Sequence, residues 1–186
     1  YKRQAYQEAG ADILFIEAPH SIDEMKFIRK SFGEDIPLLA NMVEGGKTRF
    51  HSVKNGLEKV DEKSIVLIHD GVRPLFSKTL IERLISKVNN NIGVIPVVPI
   101  TSSIRKVEGE KSQNVNRSDL YQVQTPQCFM SADIKSAYKK EFSEFFTDDA
   151  SVLENSGGKI TTILGENKNL KITTEEDLKI AEIFMQ

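Results

Sequence analysis

The chain has 186 residues, with 25 basic and 27 acidic side chains and a net charge of -2, a length that accommodates one domain with a core of its own. Neither sign of charge dominates, which argues against a nucleic-acid footprint and against attraction to a membrane surface. No apolar run approaches the ~20 residues of a membrane span, and Cys128, the single cysteine, excludes an internal disulfide or a thiolate metal cluster; a cytoplasmic protein is expected.

Tyr1 to Ala9 reads as a helix closed by Gly10, so a segment is expected ahead of Tyr1. Ile13 to Ile16 reads as a strand, and Ser21 with Glu24 forms a capping box for a helix reaching about Phe32. Pro37 to Ala40 begins another strand and Ser52 to Val60 another helix. Ile65 to Ile68 is four apolar residues long, which suits a buried strand and is too short for a helix. A helix from Ser77 to about Val88, a turn from Asn89 to Gly93 and a buried strand from Val94 to Val98 follow. From Pro99 to Gln127 the rhythm breaks: the segment is polar, and Ile104 to Val107 and Tyr121 to Gln124 read as strands joined near Gly109. Segments this long inside a domain are usually functional or oligomeric. A helix from Ala132 to about Phe145, strands at Lys159 to Leu164 and Leu170 to Ile172, and a last helix behind a capping box of Thr173 and Glu176 complete the chain. The alternation predicts a single α/β domain with a Rossmann-like, mainly parallel sheet, helices on both faces and an inserted β-arm at about 99–127.

The chemistry concentrates after the Ile65 strand, where His69-Asp70-Gly71-Val72-Arg73-Pro74 opens a loop. In open α/β sheets ligands bind beyond the carboxyl ends of the strands, and an acid with an arginine delivered there suits a sugar hydroxyl and a phosphate. A surface turn with Asp70 as a cap is the plainer alternative; His69, inside the buried run, reads as a satisfied core imidazole. Gly45-Gly46-Lys47-Thr48 stands between a strand and a helix, where backbone amides can face a phosphate. A Walker-type loop needs a glycine where Asn41 stands, so the run reads as a glycine turn or a shallow contact to a base. Thr147-Asp148-Asp149 could bind a divalent metal, but acids at a helix start more commonly serve the helix dipole. Lys171 and Arg117 say little by pattern alone. These residues lead to a sugar-phosphate or nucleotide enzyme and no further.

Five ordered blocks carry a resemblance. They are Gly46-Lys47-Thr48-Arg49-Phe50-His51-Ser52-Val53-Lys54-Asn55-Gly56-Leu57, Ile68-His69-Asp70-Gly71-Val72-Arg73-Pro74, and Asp119-Leu120-Tyr121-Gln122-Val123-Gln124-Thr125-Pro126-Gln127. Thr147-Asp148-Asp149-Ala150-Ser151 and Asn169-Leu170-Lys171-Ile172-Thr173 complete the set. From about Gly45 onward the chain resembles the 2-C-methyl-D-erythritol 4-phosphate cytidylyltransferases. The resemblance implies attack of the substrate phosphate on the α-phosphorus of CTP, with Mg²⁺, releasing pyrophosphate. It implies that Gly46, Lys47 and Ser52 lie by the cytosine and Asp70 by the ribose, and that Arg73, Ser103 and Thr125 contact the methylerythritol phosphate. Arg117 and Lys171 would hold that phosphate for attack, and no protein residue is assigned as a metal ligand. The arm would cross to a second subunit, giving a homodimer with shared sites; ribitol phosphate is the other acceptor that close relatives suggest. Ser102 departs from an acid common at that position.

Residues 1–48 resemble instead a segment of the phosphoenolpyruvate mutase and isocitrate lyase superfamily, on Glu8-Ala9-Gly10-Ala11-Asp12-Ile13-Leu14-Phe15-Ile16-Glu17-Ala18-Pro19 and Leu39-Ala40-Asn41-Met42-Val43-Glu44-Gly45-Gly46-Lys47-Thr48. The glycine-rich loop with which the cytidylyltransferases hold the triphosphate has no counterpart there, so a chimera with impaired cytidylyl transfer is expected. A non-catalytic dimerising chimera and a lyase are the alternatives.

Overall fold

The computed structural model of the chain describes residues 13–17 and 45–184. The helices expected at Tyr1 to Ala9 and Ser21 to Phe32, the strand at Pro37 to Ala40 and the triphosphate loop sought in residues 1–44 fall outside these residues.

Alternating side chains distribute the apolar residues to two faces of one sheet. In strand β2 (Ile65–Asp70), Val66 and Ile68 face one side and Leu67 the other, as the two-residue period of a strand requires. Helix α1 (Arg49–Leu57) brings Phe50, Val53 and Leu57 onto Val66 and Ile68. Helix α2 (Lys78–Ile85) brings Leu80, Ile81 and Leu84 onto Leu67 from the opposite side. Each of those three α2 side chains is fully buried, worth about 1.5–3 kcal/mol apiece in area removed from water. Ser77 caps α2 by accepting the Leu80 amide at 3.0 Å.

Strand β1 (Ile13–Glu17) runs parallel to β2, pairing Ile13 with Val66 through Glu17 with Asp70. Strand β3 (Ile92–Pro99) and strand β8 (Lys159–Leu164) are also parallel to each other. Between β2 and β3, however, lies β7 (Gln127–Met130), antiparallel to both. The sheet is therefore mixed, which corrects the mainly parallel expectation, although β1, β2, β3 and β8 still share one direction. Four residues, with Gln127, Cys128 and Phe129 all buried, carry no alternation to read. Cys128 points to the α2 side and Phe129 to the α1 side. Burial pushes the Cys128 thiol up to about 12, so it is the neutral thiol at working pH. Alkylation by a maleimide is expected to be negligible in the native protein and complete in denaturant, followed by mass spectrometry.

The inserted segment also departs from expectation. Strand β4 (Ile104–Glu108) pairs with β5 (Lys111–Val115), not with the Tyr121 strand. Gly109 turns the hairpin at φ 60, a conformation glycine adopts without strain. The polar run Lys111 to Val115 has no core face to reveal it as a strand. Strand β6 (Tyr121–Val123) returns to the main sheet, antiparallel to the end of β3.

Helix α3 (Ser131–Ala137) stops well short of Phe145. Phe142 and Phe146 instead fold back onto Phe50, each with ring centroids 5.6 Å away. Helix α4 (Asp149–Asn155) is capped by Asp148, whose carboxylate accepts the Ser151 amide at 2.9 Å in a reciprocal box. Leu170 to Ile172 is loop and not strand, and helix α5 (Glu175–Phe184) begins after Thr174, which forms a reciprocal box with Asp177, one residue later than expected. No helix among the described residues is long and apolar enough to cross a membrane.

Candidate active site

Asp70 ends β2 at the carboxyl edge of the sheet, and the chain turns there with the Arg73 amide bonded to the Asp70 carbonyl at 3.0 Å. The turn presents both side chains to a cavity of about 300 Å³. Its wall is completed by Arg49 from the start of α1, Thr125 from the β6–β7 connection, Gln127 from the start of β7, Asp148 from the cap of α4, and Lys171. A larger hollow of about 420 Å³ lies against the exposed hairpin, between residues such as Lys106 and Gln113, but it gathers no buried charge.

Three cations surround one carboxylate. Arg73 Nε lies 3.1 Å and Lys171 Nζ 3.4 Å from Asp70 Oδ2, and Arg49 Nε lies 3.9 Å from Oδ1. Burial pushes the Asp70 carboxyl up, but the charges of Lys171, Arg49 and Arg73 together outweigh it and hold the group below 3.8. The folded state thus binds this proton less readily than the unfolded chain. The stabilisation is complete above the ordinary carboxylate pKa and is lost as pH falls through the lower folded value. Urea unfolding from neutral pH to about pH 3 should show this acid-side loss, and Asp70→Asn should reduce it.

The guanidinium of Arg73 is buried and also donates to the Asn169 carbonyl at 2.9 Å. Asn169 in turn donates from Nδ2 to the Thr125 carbonyl at 2.8 Å. The segment from Leu170 to Ile172, which sequence pattern reads as a strand, is therefore a loop held to the site at its start by the bonds of Asn169. Ile172 N–H donating to the Val72 carbonyl at 2.9 Å completes that attachment.

Of the residues singled out by sequence, Asp70, Arg73, Thr125 and Lys171 come together around this cavity. Gly46, Lys47 and Ser52 sit at the start of α1 beside Arg49, with the Gly46 amide donating to Ser52 Oγ at 3.0 Å. Ser103 and Arg117 are exposed on the inserted segment, and neither is among the cavity's described lining residues. Arg117 instead donates to the Thr101 carbonyl. Among the described residues no cluster of three or more His, Cys, Asp or Glu could hold a metal ion.

Two residues escaped the sequence reading. Arg49 grips Asp149 with both guanidinium nitrogens, at 2.6 and 3.0 Å, and Gln127 donates to Asp148 at 2.8 Å while accepting the Ala150 amide at 2.9 Å. The adjacent acids at 148 and 149 were the available signal: one caps the helix, and the other faces inward and needs a cation.

The family model for IspD, 2-C-methyl-D-erythritol 4-phosphate cytidylyltransferase, matches residues 12–186. The chain is 48% identical over 146 residues to the 2-C-methyl-D-erythritol 4-phosphate cytidylyltransferase of Azobacteroides pseudotrichonymphae, a match covering 77% of this chain and 65% of that protein. It is 36% identical over 176 residues to the Porphyromonas gingivalis protein of the same name, covering 94% of this chain and 78% of that one. The crystal structure of 4-diphosphocytidyl-2C-methyl-D-erythritol synthase from Anaerococcus prevotii superimposes with a TM-score of 0.78 at 28% identity, over 98% of this chain and 86% of that one. The match spans just under two thirds of the length of the first of these relatives. The chain belongs to the 2-C-methyl-D-erythritol 4-phosphate cytidylyltransferase family.

Proposed function

We propose that this chain provides the acceptor side of a cytidylyl-transfer site. There the phosphate of 2-C-methyl-D-erythritol 4-phosphate attacks the α-phosphorus of CTP and pyrophosphate leaves. The observation that carries the reading is the group of Arg49, Arg73 and Lys171 around Asp70 at the carboxyl edge of the sheet. Two anionic phosphates must approach each other, and oriented cations lower that barrier by positioning and charge neutralisation. Asp70, held ionised, would accept hydroxyl groups of the ribose. Gly46, Lys47 and Ser52 would contact the cytosine from the start of α1; Arg73, Ser103 and Thr125 would contact the acceptor.

Mg²⁺ would accompany CTP, carried chiefly by triphosphate oxygens, the usual way this ion keeps its octahedral geometry. Asp148 fits it best: it is the described wall carboxylate with no cation paired to it, and each oxygen accepts a single hydrogen bond. When bound, the ion would neutralise phosphate charge.

Arg117 and Ser103 would reach a site by the hairpin crossing to a second copy, so the reading includes a homodimer built on the inserted segment. The exposure of both hairpin strands supports it. Light scattering on the chain with and without residues 104–115 tests it: a dimer mass lost on deletion is expected, and a monomer in both overturns it.

A splice with the phosphoenolpyruvate mutase and isocitrate lyase superfamily gains no support, since the family match begins at residue 12 and runs through the segment in question. The deciding measurement is pyrophosphate release from CTP with methylerythritol phosphate, against ribitol phosphate as the competing acceptor. Turnover is expected to be slower than that of a relative carrying the glycine-rich loop with its arginine and lysine, which has no recognisable counterpart in residues 1–44. Absence of both turnover and CTP binding would defeat the proposal.

A further inference from the structure

His69 is buried in β2 with 2% of its surface exposed, and both ring nitrogens have partners. Nε2 lies 2.9 Å from the Arg73 carbonyl oxygen, and Nδ1 lies 2.9 Å from Thr125 Oγ1. A carbonyl oxygen can only accept, so Nε2 must carry the proton. With the ring uncharged, Nδ1 has no proton and must accept one from the Thr125 hydroxyl. Thr125 Oγ1 also accepts the Asp70 amide at 3.0 Å. The direction of every bond in the chain follows: Asp70 N–H to Thr125 Oγ1, Thr125 O–H to His69 Nδ1, His69 Nε2–H to the Arg73 carbonyl.

That chain ties down both ends of the turn carrying Asp70 and Arg73. It also leaves Thr125 one remaining lone pair and no proton to give. Thr125 lines the cavity, and such an oxygen can accept from a substrate hydroxyl but cannot donate to a phosphate oxygen. The Phe76 ring packs T-shaped against the imidazole, with ring centroids 4.9 Å apart.

We propose that His69, as the Nε2–H tautomer, is a positioning residue that fixes the Asp70–Arg73 turn and commits the Thr125 hydroxyl proton to the protein, so that Thr125 recognises a hydroxyl of the acceptor polyol and not its phosphate. The second half rests on the cytidylyl-transfer reading; the first does not.

Nitrogen-15 NMR of the imidazole in the native protein, without substrate, tests the first half. A protonated, pyrrole-like Nε2 and a bare, pyridine-like Nδ1 are expected for His69; the reverse pattern or an averaged pair overturns it. His69→Phe keeps a flat ring and removes both bonds. Hydrogen exchange at the Asp70 amide should then quicken at least tenfold relative to the amides of β8, whereas His69→Asn, which can still offer an acceptor to Thr125, should restore most of the protection. Equal exchange in all three proteins overturns the positioning role.

The second half is read by varying the acceptor. A methylerythritol phosphate lacking one hydroxyl should lose its disadvantage in Thr125→Val, with kcat/KM for the two acceptors converging at least tenfold, while Thr125→Ser keeps the native preference. Unchanged discrimination in Thr125→Val overturns the hydroxyl assignment. Failure of all turnover would defeat the cytidylyl-transfer reading, and the NMR and exchange results would still decide the role of His69.

Discussion

Arg49→Met is expected to destabilise the protein by about 3–5 kcal/mol, the cost of stranding one member of a buried ion pair. Asp149 is fully buried in the first turn of α4, and its carboxylate is held by the Arg49 fork and by the Tyr138 hydroxyl at 2.6 Å. Without the guanidinium, the phenol is its remaining side-chain partner, and an anion in the core must either protonate or draw in water. The three residues come from α1, α4 and the end of α3, so the contact also locks those helices over one face of the sheet. Urea unfolding gives the loss directly. The double variant Arg49→Met with Asp149→Leu should regain much of it, because two matched apolar groups leave nothing charged behind. If the double variant is no better than the single, the contribution lies in guanidinium packing and not in the charge pair.

That ion pair also marks where sequence stops being readable. Helices α1 and α2 announce themselves through apolar side chains at helical spacing, because each has one buried face and one wet face. Asp70 and Arg73 are legible for a related reason: they follow a buried strand at the edge where such sheets bind ligands. The partnership of Arg49 with Asp149 joins residues far apart in the chain and depends on how α1 and α4 come to rest on the sheet. Nothing local encodes it except the second acid of an Asp-Asp pair that a single cap would not need. Strand β7 escaped for the opposite reason, since a central strand buried on both faces has no pattern. The β4–β5 hairpin, wet on both sides, is equally silent. Lys171 is an exposed lysine in a loop by pattern, and its approach to Asp70 depends on the bonds that Asn169 makes with Arg73 and Thr125.

Lys171→Gln should leave the fold nearly intact and remove most of the activity. The lysine side chain is half exposed, and its 3.4 Å approach to Asp70 is one of three cationic contacts to that carboxylate; a solvated pair of this kind contributes about 0–1 kcal/mol to stability. Its value to the proposed cytidylyl transfer is different. Arg73 is buried and committed to Asp70 and to the Asn169 carbonyl, and Arg49 is committed to Asp149. Lys171 is the cation of the three that a flexible stem and an open flank allow to swing from Asp70 onto an incoming phosphate. Losing an oriented charge that strengthens its contact in the transition state typically costs about 10²–10³ in turnover. Pyrophosphate release should fall by that factor in Lys171→Gln, with the urea midpoint barely moved and Lys171→Arg recovering part of the rate. A loss of twofold or less would mean that Lys171 only screens Asp70, and the burden of holding the acceptor phosphate would pass to the buried Arg73 or to the hairpin's Arg117.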